Sequence, residues 1–295
     1  MATAIGPTVP IAVNNVMGGH APSPTLTVSV PPQALPTPTP TKERIPPAPN
    51  GLQHSPLGPP LTVVSEYPID PGNNVIWIFA DKLSLSSNQL APLDRALAAN
   101  QSVTPNDYLF GRGGYAPSAD TQLILHNNRP YPIQVIDIQV IKHCQAPLTG
   151  TLIYAPEGDS EPSTGLGFNL DSSDNDAMLA DGPNVRQWKP GYFTQYVVPI
   201  NPGKQAVFNI RAVASRVACS FLYQVTVQDS KNKISQVISD YGMLFRVSAL
   251  RLSYLHRPHR LVSQNFSGYQ NLYVGGVASP RSDGWLVREN PRTWD

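Results

Sequence analysis

Charge is scarce in this chain: 14% of its 295 residues are Asp, Glu, Lys or Arg, and the formal net charge is only +1. A soluble domain usually carries about a quarter. Such a balance gives no whole-molecule field to gather nucleic acid or an anionic membrane surface, so no nucleic-acid partner is expected. Cysteine is almost absent. Cys144 and Cys219 are too few for a four-ligand zinc site and form no C-x-x-C redox motif. No run of about eighteen apolar residues exists, which excludes a transmembrane helix in the sequence as given. A secretory leader is missing as well: the best apolar stretch near the start, residues 9–16, is broken by Pro10, Asn14 and Asn15.

The motifs of catalysis are missing too. There is no G-x-S-x-G elbow, no cysteine-protease signature and no phosphate loop. Gly111-Arg112-Gly113-Gly114 lacks the Gly-Lys-Ser/Thr ending, and Gly275-Gly276 sits inside a strand pattern. No catalytic residue and no cofactor are therefore assigned, and the chain is read as more plausibly a non-enzyme.

Proline, by contrast, is abundant and unevenly placed. Nearly half of the 32 prolines fall in the first sixty residues, where Lys42, Glu43 and Arg44 are the only charged side chains. Such a stretch cannot bury enough apolar surface to offset its ordering entropy. Pro36-Thr37-Pro38-Thr39-Pro40-Thr41 favours polyproline II, a semi-rigid spacer. The expected organisation is a disordered Pro/Thr-rich tail over 1–60, then a single β-sandwich domain over 61–295.

From Leu61 onward the signal is strand after strand, with β-branched and aromatic runs punctuated by Pro, Gly, Asn and Asp. Strands are predicted at 61–67, 75–79, 121–126, 133–141, 148–154, 167–170, 193–199, 206–213, 218–228, 234–238, 244–249, 271–277 and 285–287. The clearest is 219–227, where Cys, Phe, Tyr, Val and Val alternate with Ser, Leu, Gln, Thr and Gln. That period of two covers one face of a sheet. One segment differs: Leu90, Leu93, Leu97 and Ala98 stand at helical spacing, with Pro92 near a first turn and Ser87 or Asn88 as cap. Together these predict an all-β fold, an antiparallel β-sandwich with one short helix.

The two cysteines share strand parity with buried positions: Cys144 with Ile136, Ile138 and Val140, Cys219 with Phe221, Tyr223, Val225 and Val227. Both then face one core, as a disulfide closing a loop of about 75 residues or as two buried thiols.

Other candidate sites are weaker. Asp171, Asp174 and Asp176, followed by Asp181, form the densest acidic run and a weak calcium candidate, without the glycine and glutamate of an EF-hand loop. A solvated interstrand loop is the plainer reading. His20 and His54 lie in the tail, His126 and His143 stand alone on strands, and Pro258 interrupts the His256/His259 pair, so no metal site is assigned. Residues 251–260, with Arg251, His256, Arg257, His259 and Arg260 and with Tyr254 and Phe266 nearby, form the most basic stretch but match no nucleic-acid readout motif.

Three stretches together carry a resemblance: Pro59-Pro60-Leu61-Thr62-Val63-Val64-Ser65-Glu66, Pro147-Leu148-Thr149-Gly150-Thr151-Leu152, and Tyr273-Val274-Gly275-Gly276-Val277 leading to Asn290-Pro291-Arg292-Thr293-Trp294. From about residue 59 to its end the chain resembles uncharacterised exported, membrane-anchored extracytoplasmic proteins of actinobacteria. The resemblance implies an extracytoplasmic or cell-surface location and two spaced cysteines matching Cys144 and Cys219. It brings no activity, and the Pro/Thr-rich tail stands where that group has its anchor. The expected role is a non-enzymatic extracytoplasmic binding or envelope-associated module, with a cell-envelope component or a protein as partner. A cell-wall or glycan hydrolase and a structural subunit of a larger assembly are the alternatives.

Overall fold

The computed structural model describes residues 58–68, 75–98, 114–156, 165–182, 185–240, 242–251, 253–255, 263–281 and 283–294, all within the unit Lys42–Asp295. The tail expected over 1–60 lies outside the described residues except for its last three positions.

Among the described residues there are sixteen strands. β1 (Leu61–Pro68), β3 (Ser118–Asn127), β6 (Gly165–Asn169), β7 (Met178–Ala180) and β9 (Gln205–Val213) form one sheet in the order β1-β3-β9-β6-β7. A second sheet holds β4 (Ile133–Gln145), β8 (Val198–Ile200), β10 (Ala218–Asp229) and β11 (Asn232–Ile238) in the order β11-β10-β4-β8, and β12 (Phe245–Ser248) also pairs with β10. The third comprises β2 (Val75–Phe79), β5 (Thr151–Ala155), β15 (Asn271–Val274) and β16 (Val287–Glu289) in the order β16-β15-β5-β2. β13 (Ser253–Leu255) and β14 (Ser263–Asn265) make a small pair.

The first two sheets are the layers of the expected sandwich. Leu123, Leu125, Phe168, Phe208 and Ile210 from one meet Val135, Ile138, Phe221, Tyr223 and Val225 from the other in a single buried cluster. Alternation builds this core: along β3, Thr121, Leu123 and Leu125 are buried while Gln122, Ile124 and His126 are half-buried. Most neighbours are antiparallel, as predicted. β6 and β9 are parallel, however, and so are β5 and β15. Parallel neighbours need a long crossover, and each pair is separated by several intervening elements.

The third sheet forms an annex the sequence patterns did not separate. Every residue of β5 and of β15 is buried, because both faces are covered. On one face Trp77, Phe79, Ile153, Ala155 and Tyr273 receive Leu90 and Leu93 of helix α1 (Ser87–Ala98). On the other, Ile78, Leu152, Tyr154, Leu272 and Val274 pack with Tyr115, Phe266, Tyr269 and Ala218, the first residue of β10. The capping residue of α1 is Ser86, just before the expected Ser87 or Asn88: Ser86 donates its backbone N–H to Gln89 Oε1 at 2.9 Å, and Leu90 N–H bonds the Ser86 carbonyl at 3.0 Å. That is the reciprocal half of a capping box, with glutamine three residues after serine.

Three strand expectations need correction. Residues 193–199 are not one strand: α2 (Tyr192–Gln195) occupies the start, entered through Gly191 at φ 73°, and β8 begins at Val198. The stretch 271–277 ends at Val274, since Gly275 and Gly276 turn the chain, Gly276 at φ 57°. The last strand is shifted to Val287–Glu289. β7, β13 and β14, three residues each, are too short to show a period.

Candidate functional site

The cysteines pair. Cys144 and Cys219 face each other directly across β4 and β10 with Cα atoms 4.1 Å apart, joined in a disulfide. Cys219 is fully buried and Cys144 packs against the sandwich core from its rim. The bond staples neighbours within one layer, so it does not itself join the two layers, which meet through side-chain packing and a few hydrogen bonds such as Val140 N–H to the Asn175 carbonyl.

The acidic loop after β6 is put to structural use. Asp171 accepts the backbone N–H groups of Ser215 and Arg216 at 2.8 and 2.9 Å, closing the turn before β10. Asp174 accepts the Asp176 N–H at 3.0 Å, and Asp176 accepts Gln139 Nε2 at 2.6 Å. Lys142 donates its ammonium to the Ser172 carbonyl at 2.5 Å, placing a cation at the centre of this loop. Burial pulls that lysine below its ordinary range, opposed by Asp174 and Asp171. The fourth acid, Asp181, sits 3.8 Å from Lys189 at the surface. Among the described residues no group of three or more His, Cys, Asp or Glu side chains is placed to hold a metal ion.

His126 lies on β3 and His143 on β4, apart from each other in different sheets. His256, His259 and the rest of the basic stretch beyond Arg251, apart from the backbone of β13, lie outside the described residues, as do His20, His54 and residues 111–113.

Two clusters escaped the sequence patterns. The first is a buried ion pair: Arg129 Nε donates to Asp229 Oδ2 at 2.7 Å, and their side chains are 2% and 5% exposed. Tyr131 donates its hydroxyl to the other Asp229 oxygen at 2.7 Å, while Arg129 Nη2 reaches the Gly58 carbonyl at 2.9 Å. Asn127 accepts the Arg129 N–H and donates to the Tyr131 and Ile200 carbonyls. This knot fastens the entry to β1, the β3–β4 turn and the β10–β11 hairpin at one end of the sandwich. Two charges out of water are tolerable only because every partner is in place.

The second is an aromatic shelf. In α2, Tyr192 stands 5.0 Å from Tyr196 and 4.9 Å from Phe193, ring centroid to centroid. Tyr192 and Phe193 pack on the sandwich core, whereas Tyr196 and Val197 are 49% and 51% exposed. Tyr192 donates its N–H to the Ala177 carbonyl at 2.9 Å, so the shelf is tied to the residue after Asp176.

Beside the shelf lies the outward face of the β4-β10-β11 sheet. Its rows are Asp137, Thr226 and Ser235; Gln139, Gln224 and Val237; and Gln134, Gln228 and Lys233. Thr226 and Ser235 share a hydroxyl hydrogen bond of 2.9 Å. Asp137 titrates above the usual carboxylate range, first because of burial and next because Asp176 repels it, with the Ile138 N–H and Lys233 opposing.

Compared with known proteins, the chain matches no family model, no curated protein and no solved structure.

Proposed function

We propose that this chain is a non-enzymatic binding module that works outside the cytoplasm and meets its partner through the α2 shelf. The observation that carries the reading is the shelf itself. Tyr196 and Val197 stand about half exposed just after a helix of four residues, which is pinned by the Tyr192 bond to Ala177 and by packing of Tyr192 and Phe193 on the core. Large apolar side chains held rigidly at the surface lose little entropy on contact, which is what a recognition surface requires. The disulfide supports an oxidising compartment. No described helix is long and apolar enough to cross a membrane. The sequence resemblance to exported actinobacterial proteins points to the same compartment, with a cell-envelope component as partner.

Co-sedimentation of the full chain with isolated cell envelopes tests the reading. Wild type is expected in the pellet, and Tyr196→Ala with Val197→Ser weakens association by about tenfold, the effect of about 1.4 kcal/mol. A wild-type chain left entirely in the supernatant ends it. Titration of denatured, unreduced protein from its native source is expected to find no free thiol.

A second reading, a subunit of a larger assembly, is favoured by one feature. Val207, 56% exposed, pairs with Ile124 in the first sheet, and Val64, 50% exposed, stands in the bulge of β1 just before Ser65, the partner of Ile124 on the other side. Light scattering at rising concentration separates the two: a monomer at all concentrations removes self-assembly.

A further inference from the structure

Resting on the binding-module reading, we infer that the outward face of the β4-β10-β11 sheet, with the α2 shelf at its β4 edge, binds a neutral glycan chain. Three properties of the face carry this.

The first is its chemistry. Gln134, Gln139, Gln224 and Gln228 supply amides, each with two donors and one acceptor group, and Thr226 and Ser235 supply hydroxyls. Adjacent hydroxyls on a sugar ring offer a donor and an acceptor side by side, the complement of a planar amide. Strand geometry sets these groups about 4.8 Å apart across the sheet and about 6.8 Å apart along it, a spacing of the order of one sugar unit.

The second is charge. The rows hold Asp137 and Lys233, and Asp176 borders them, so the face has no field suited to a polyanion. A protein partner would call for an apolar centre, whereas the rows through Gln224, Thr226 and Gln228 are polar apart from Val237, and the apolar pair Ile141 and Leu222 only adjoins them.

The third is order. Gln139 is fixed by its bond to Asp176, Thr226 by its bond to Ser235, and Gln228 by donation to the Ser230 carbonyl at 2.8 Å. α2 packs beside β4 and is tied to Ala177, the residue after Asp176, and the exposed Tyr196 follows it directly in the chain. An aromatic ring there stacks on the C–H face of a sugar while the amides take its hydroxyls. Side chains already held in place lose little freedom when ligand arrives.

Native gel electrophoresis of the full chain through hydroxyethylcellulose, dextran or arabinogalactan, with alginate as an acidic comparison, tests the site. Retardation is expected in at least one neutral gel. Tyr196→Ala and the double variant Gln139→Ala/Gln224→Ala each weaken it about tenfold or more, whereas Tyr196→Phe and Gln122→Ala, the latter on the opposite sheet, leave it unchanged. The double variant truncates two half-buried side chains on the outward face and leaves the core untouched, so it remains readable if Tyr196→Ala fails to fold. No retardation in any neutral gel, retardation in alginate alone, or equal retardation of wild type and the double variant overturns the inference. If envelopes still sediment the wild-type chain while neutral gels do not slow it, the glycan face is wrong and the binding module stands; failure of both experiments removes both.

Discussion

The sandwich and the annex bury their strands by different rules. In the sandwich each sheet gives one face to the core, so β3 from Thr121 and β10 from Tyr223 alternate buried and half-buried residues, while the first part of β10, where it approaches the annex, is buried throughout. In the annex, β5 and β15 are buried on both faces, one under α1 and the other under Tyr115, Phe266 and Tyr269. One-sided burial leaves a period in the sequence and two-sided burial erases it. The two regions nevertheless share β10, whose first residue, Ala218, lies in an annex core while Cys219 lies in the sandwich core.

The largest effect tests that sharing. Replacing both cysteines with serine is expected to lower stability by about 4–5 kcal/mol, the chain-entropy value for a 75-residue loop. Fluorine-labelled tryptophan resolves the two regions, since Trp77 belongs to the annex core and Trp188 lies over Gly167 of β6. Both resonances should leave their native positions together on urea titration. A native Trp77 signal surviving the loss of Trp188 would divide the molecule into two independent bodies.

Next comes the sandwich's buried pair. Arg129→Met strands the Asp229 carboxylate with only the Tyr131 hydroxyl, and a loss of about 3–5 kcal/mol is expected in urea melts. A loss under about 1 kcal/mol would mean that water reaches the knot.

Two glycines sharpen the contrast at smaller scale. A Cβ at Gly150, in the annex, would overlap the backbone of Ala80 and Asp81, which cannot step aside; at Gly167 it would meet the Trp188 indole. Gly150→Ala should cost about 3 kcal/mol and Gly167→Ala about 1 kcal/mol, the latter with a displaced Trp188 resonance. The reverse order would mean the annex backbone yields more readily than a sandwich side chain.

The smallest effect concerns pH. Asp94 of α1 is buried and accepts the Leu286 N–H at 2.8 Å. Burial raises its pKa above 3.8, followed by that N–H lowering it, Asp283 raising it and Arg281 lowering it. A raised folded-state value means that stability is fully present below the unfolded pKa and is lost as pH rises through the folded one. Asp94→Asn keeps an acceptor without the charge, so it should raise the melting midpoint at pH 7 and match wild type below about pH 3, near the unfolded carboxylate's range. Unchanged midpoints at both pH values would show that the carboxylate is better hydrated than its burial implies.

Legibility followed the same division. The strands from Ala218 to Asp229 and from Gln205 to Val213 were readable because residues such as Phe221, Tyr223 and Val225 face one way and Gln224 and Thr226 the other. The pairing of Cys144 with Cys219 was readable from the same parity. The shelf was hidden because Tyr192, Phe193 and Tyr196 read as β-formers, and four residues are too few for a helical pattern to declare itself. The Arg129 knot joins residues a hundred positions apart, a separation that local spacing cannot reveal.

The knot also decides how the domain would bear a load. The Arg129 side chain holds the Gly58 carbonyl, and Asn128 holds those of Pro59 and Pro60 through its side chain and its N–H. Tension arriving from the N-terminal side therefore passes at once into the β3–β4 corner and, through Asp229, into the β10–β11 hairpin. Several bonds on two elements must yield together before β1 can peel from its neighbour, which gives the domain a reinforced mooring where a spacer would pull.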